Sequence, residues 1–121
     1  MTSPIKILAV DDEPDVELLI KQRFRQRIRN GDLNFSFARH GEEALAVIDA
    51  DPGIQLLLLD INMPVMDGLT LLSELRSRQS DVRAVVVSAY GDLPNIRTAM
   101  NRGAFDFVTK PVDFGDLEVT I

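Results

Sequence analysis

The sequence predicts a single α/β domain: five parallel strands with helices on both faces of the sheet. Two observations carry that expectation. Short apolar runs rich in Val, Ile, Leu and Phe alternate five times with segments of helical periodicity, the pattern of strand–helix–strand units joined by right-handed crossovers. Four of the runs also end in polar residues: Ile5–Val10 in Asp11-Asp12, Ile54–Leu59 in Asp60, Val82–Val87 in Ser88, and Ala104–Thr109 in Lys110. In a parallel sheet these ends share one edge, and open α/β sheets bind ligands at that edge.

The first strand, Ile5–Val10, is apolar apart from Lys6, as suits a strand buried on both faces. Pro14 fits the first turn of a helix, and Val16, Ile20, Phe24 and Ile28, with Leu19 alongside, give that helix one buried stripe ending at Asn30-Gly31-Asp32. Leu33, Phe35 and Phe37 alternate with Asn34 and Ser36, the period of a strand with one wet face at a sheet edge. Gly41–Ala50 reads as a short helix burying Ala44, Leu45 and Ile48, followed by the turn Asp51-Pro52-Gly53. Ile54–Leu59 is the central strand, and Asp67-Gly68 opens a helix that buries Leu69, Leu72 and Leu75. Val82–Val87 is the fourth strand. Asp92 caps a helix running to Arg102, with Leu93, Ile96 and Met100 inward and Gly103 as its stop. Phe105–Val108 is the fifth strand, and Phe114, Leu117 and Ile121 begin a last helix without a stop signal, which is expected to be cut short.

With 121 residues, 45% of them hydrophobic and 26% charged, the chain is expected to bury the core of one globular domain. It has no cysteine, which excludes disulfides and thiolate metal sites. Its apolar runs end at about six residues, far short of the ~20 of a membrane span. The N-terminus has no leader pattern, so a cytoplasmic setting is expected. A net charge of −6 argues against the domain gripping nucleic acid. Arg23, Arg25, Arg27 and Arg29 form one basic run, read as a solvated helix face, with a docking or dimer surface as the alternative. His40 reads as a surface turn residue, because no ligand-type residue accompanies it at metal-binding spacing.

Taken together, Val10-Asp11-Asp12-Glu13-Pro14, Leu59-Asp60-Ile61-Asn62-Met63-Pro64 with Asp67-Gly68, Ser88-Ala89 and Thr109-Lys110-Pro111 closely resemble the receiver domain of two-component response regulators. The resemblance covers essentially the whole chain, residues 1–121. It implies a flavodoxin-like, CheY-like sheet of strand order 2-1-3-4-5 with five helices. An isolated receiver and the front end of a multidomain protein look alike over this stretch, and the missing stop of the last helix favours the second, with an output domain following. In that order Asp60 has the acidic pair on one side and Ser88 and Lys110 beyond its other flank, on strands ~4.8 Å apart.

Three crowded carboxylates repel one another and call for a cation. Magnesium binds through a few carboxylates, waters and phosphate oxygens. Asp12 and Asp60 are the main expected ligands, with Asp11 directly or through water; the resemblance adds the backbone carbonyl of Asn62, and Mn2+ as a substitute. Asp60, central and flanked by both charge types, is the expected phosphoryl acceptor. Positioning and neutralisation of the equatorial oxygens then drive transfer: magnesium from one side, the Lys110 ammonium from the other, with the Ser88 hydroxyl and the Ala89 backbone N–H as neutral donors. The resemblance names the donor as a phosphohistidine on a sensor kinase or phosphotransfer protein, and makes the domain a signalling module rather than an enzyme. It further implies that Ser88 is drawn to the phosphoryl group while Phe107, three before the lysine, turns inward. The output surface would be the helix after the fourth strand, the fifth strand and the last helix, read by an output domain, a partner or a second copy. Asn62 and Tyr90 stand where the family tunes phosphoryl lifetime, and Pro111 resembles its cis proline.

Other readings of the same residues are weaker. Asp11 and Asp12 could cap the following helix, Lys110 could be a surface lysine, Ser88 a strand-end hydroxyl and Phe107 a plain packing residue. An aspartate-nucleophile phosphatase carries a second acid two residues after the nucleophile, where this chain has Asn62. A flavin module needs a phosphate loop after the first strand, and Asp-Asp-Glu-Pro would repel the phosphate. The remaining alternative is a receiver-like scaffold that binds proteins without being phosphorylated.

Overall fold

The computed structural model describes residues 4–61, 68–89 and 92–110. Five strands form one sheet: β1 (Ile5–Val10), β2 (Leu33–Ala38), β3 (Leu56–Asp60), β4 (Arg83–Ala89) and β5 (Asp106–Lys110). Their order is β2-β1-β3-β4-β5 and every pairing is parallel, as the resemblance implies. The helices are α1 (Pro14–Arg23), α2 (Arg25–Arg29), α3 (Gly41–Ala50), α4 (Gly68–Ser77) and α5 (Leu93–Asn101). The expected last helix, with Phe114, Leu117 and Ile121, lies outside the described residues.

The sheet divides the core in two, because successive strand residues face opposite sides. Leu8, Val10, Leu57, Leu59, Ala84 and Val86 pack with Ala44, Leu45, Leu71, Leu72, Leu75 and Ala99 from α3, α4 and α5. Ile7, Ala9, Leu56, Leu58, Val85 and Val108 meet Ile20 and Phe24 on the other side.

Several strands and helices depart from expectation in informative ways. The first helix does not run unbroken to Ile28: it breaks at Phe24 (φ −104, ψ 16), whose buried ring packs against Phe35 of β2 at a centroid distance of 5.7 Å. The Ile28 N–H still donates to the Phe24 carbonyl at 2.9 Å, so α2 resumes at once. In α5 the buried line runs through Ile96 and Ala99, while Leu93 and Met100, expected inward, are 66% and 39% exposed. The small Ala99 shares a cluster with Ala84 and Ala104, and a helix can approach a sheet closely over such a side chain. Leu19 is likewise exposed rather than buried.

The strand ends extend further than the apolar runs. Asp60 pairs with Val87, Ser88 with Thr109 and Ala89 with Lys110. Backbone pairing is indifferent to side-chain polarity, so the ladder continues through residues that periodicity treats as loop. Far from this edge, the Lys6 ammonium ties β1 to the α3–β3 turn through Asp51 at 3.0 Å. That hydrogen bond, and a second from the Gly53 N–H, hold the Asp51 carboxyl below its ordinary value. Arg78 bridges Asp49 of α3 and Glu74 of α4, which raises its own already high value.

Candidate functional site

Asp11, Asp12 and Asp60 meet at the carboxyl edge of β1 and β3, each with a carboxylate oxygen within 4.8 Å of the others. Asp60 is the last residue of β3 and only 2% exposed, Asp11 is half-buried and Asp12 exposed. This gradient makes Asp60 the floor of the site and Asp12 its rim. Asp11 is oriented by the Glu13 N–H, which donates to its Oδ1 at 2.9 Å and turns the chain into α1. Pro14 then takes the first helical position.

Asp60 is held from behind by the chain that follows it. Ile61 donates its N–H to the Val87 carbonyl at 3.3 Å, and Gly68 donates to the Ile61 carbonyl at 3.2 Å. Gly68 comes so close that a Cβ there would stand 2.5 Å from the Ile61 Cα and 3.0 Å from the Asp60 carbonyl oxygen. The Asp67-Gly68 pair reads in sequence only as a helix start; its second part, a close approach beneath the end of β3, has no linear signal.

Ser88 is fully buried near the end of β4. Its hydroxyl donates to Asp92 Oδ2 at 3.3 Å, and Asn95 Nδ2 donates to the same oxygen at 2.9 Å. Asp92 is the N-cap residue of α5 as expected, yet its side chain makes no capping bond. Sequence reasoning did not connect Asp92 or Asn95 with Ser88, because the link spans a loop rather than a helical repeat.

Lys110 closes β5 opposite Ala89 in the ladder, so its backbone reaches the same edge. The Phe107 ring on β5 is 42% exposed. Asn62, Tyr90 and Pro111 lie outside the described residues. His40 caps α3, its Nδ1 accepting from the Glu43 N–H at 3.2 Å, in keeping with the turn role read from sequence. Arg25 and Arg29 are exposed on α2. Among the described residues, no helix is long and apolar enough to cross a membrane.

The arrangement can hold a hard divalent cation in an oxygen-only donor set, beside a carboxylate sheltered enough to act as a nucleophile. Comparison with known proteins gives the chain's family. A family model described as a response regulator receiver domain matches residues 7–121. The chain is 36% identical over 112 residues to the response regulator protein PilR of Pseudomonas aeruginosa, covering 93% of this chain and 24% of that protein. It is 30% identical over 112 residues to sporulation initiation phosphotransferase F of Bacillus subtilis, covering 93% of this chain and 86% of that one. A crystal structure of a response regulator receiver protein from Pseudomonas putida superposes with a TM-score of 0.86 at 26% identity, covering 98% of this chain and 96% of that one. The chain spans about a quarter of the length of the first curated relatives it matches.

Proposed function

Because the chain belongs to the response regulator receiver domains, we propose that it is the phosphoacceptor unit of a two-component system, with Asp60 as the acceptor. The observation that carries this reading is a carboxylate 2% exposed at the end of the central strand, set within 4.8 Å of two further carboxylates. In the transfer an Asp60 oxygen attacks the phosphorus of a phosphohistidine and the P–N bond breaks. The imidazole nitrogen keeps the electron pair and takes up a proton, leaving an acyl phosphate on Asp60.

Asp11, Asp12 and Asp60, with the Asn62 carbonyl, would hold Mg2+, or Mn2+ in its place. The ion supplies charge neutralisation of phosphoryl oxygens that three carboxylates would otherwise repel. Lys110 balances the opposite side, and Ser88 and the Ala89 N–H donate to the oxygens between them. Ser88, drawn toward the phosphoryl group, leaves room for the exposed Phe107 ring to turn inward, which changes the surface formed by α5, β5 and the segment after it. Asn62 and Tyr90 would set the lifetime of the acyl phosphate, and Pro111 the direction of Lys110. The donor is a sensor histidine kinase or phosphotransfer protein. The reader is an output domain, a partner or a second copy of the chain, with residues 1–121 as the receiver unit.

Incubation with acetyl phosphate and Mg2+ followed by intact-mass measurement tests the assignment. One added phosphoryl group is expected, dependent on Mg2+ and absent from Asp60→Asn. Labelling of that variant at the same level would overturn Asp60 as acceptor, and a wild type that takes up nothing from acetyl phosphate or a phosphohistidine donor would favour a protein-binding scaffold.

A further inference from the structure

We infer that Asp92 is a positioning residue that competes with the phosphoryl group for the single proton of the Ser88 hydroxyl; the inference rests on the assignment of Asp60 as acceptor. A serine hydroxyl has one proton to donate. Ser88 is 0% exposed, so that proton needs a protein acceptor in the resting chain. Asp92 Oδ2 provides it at 3.3 Å, and Asn95 Nδ2, at 2.9 Å, fixes the same oxygen in place. Alternation along β4 puts Ser88 on the side of Ala84 and Val86, whose cluster includes Ala99 of α5. The hydroxyl is thus held toward the start of α5.

When a phosphoryl oxygen claims the proton, Asp92 loses one of the two donors it has among the described residues. Its carboxylate then stands at the N-terminus of α5 with a free oxygen, where helix amide groups welcome negative charge. In the resting chain that capping bond is not made. Asp92 therefore trades a bond to Ser88 for a bond to its own helix, so occupancy at Asp60 is registered in the first turn of α5. The resting bond to a carboxylate acts as a brake on phosphoryl binding.

The test is a double-mutant cycle read with beryllofluoride, which binds a carboxylate oxygen as a phosphoryl mimic. The half-saturating beryllium concentration, at fixed fluoride and Mg2+, is followed by fluorine NMR for wild type, D92A, S88A and the double variant. D92A is expected to lower it by roughly fivefold, the effect of removing one competing hydrogen bond. In the S88A background the same substitution is expected to change nothing. Asp92→Asn, which keeps an acceptor oxygen and the size of the side chain but not the charge, is expected to fall between and gives the reading if D92A does not fold. An equal shift in both backgrounds would overturn the inference, because a merely structural Asp92 does not act through Ser88. If wild type and Asp60→Asn alike fail to bind beryllofluoride, the acceptor assignment itself fails and the inference falls with it.

Discussion

Gly68 is needed for lack of space: any Cβ would press on the backbone of Ile61 and Asp60, which cannot yield as a flexible side chain can. Gly68→Ala is therefore expected to cost about 1–3 kcal/mol in urea unfolding and to slow the proposed phosphorylation of Asp60 by displacing the end of β3. Unchanged stability and rate would show that the loop relaxes freely. The same residue shows where sequence reading stops. Asp11, Asp12, Asp60, Ser88 and Lys110 stand out in the chain because each follows an apolar run, and a polar residue at such a place has few structural reasons to be there. Gly68 and Asp92 are ordinary in sequence, a glycine at a helix start and an aspartate at a cap. Their importance comes from what the fold brings beside them.

At the scale of elements, the break between α1 and α2 shows tertiary packing overriding a helical pattern. Val16, Ile20, Phe24 and Ile28 are spaced for one continuous helix, and the hydrogen bonds on either side of Phe24 persist. The ring of Phe24 nevertheless fills the space over β2, against Phe35. Truncating it should empty a buried site: Phe24→Ala is expected to lose about 3–5 kcal/mol by chemical denaturation, far more than an exposed position such as Leu19. Comparable losses at the two would mean that the ring is not an anchor. Strand order was legible only through the family resemblance, since periodicity says which segments are strands but not which are neighbours. The strand ends were misjudged by one or two residues because the ladder ignores polarity, and Leu93 and Met100 because a small alanine set the buried line of α5.

Across the whole molecule, charge is placed at both ends of the sheet with opposite effects. At the carboxyl edge three acids crowd together; at the other end Asp51 is matched by Lys6 and the Gly53 N–H, which lower its proton affinity below the ordinary value of 3.8. A carboxyl with a depressed folded-state value stabilises the fold above its unfolded value and loses that contribution as pH falls below it. Asp51→Asn should thus be less stable than wild type near neutrality, and the gap should close below about pH 4. Melting temperatures of both proteins at neutral and acid pH test this, and a gap that persists into acid would contradict it.

The partition of the core has a further consequence. Alternation sets Asp60 on the side of Leu56 and Leu58, with α1, whereas Ser88 belongs with Val86 and the layer of α3, α4 and α5. On the proposed function, a phosphoryl group received in one layer must cross the plane of the strands to be felt in the other, and Ser88 would be the side chain that carries it across. The sheet would then be a partition between the listening half of the molecule and the speaking half. A spectroscopic label on α1 should register arrival of the phosphoryl group even in a chain whose α5 label has fallen silent.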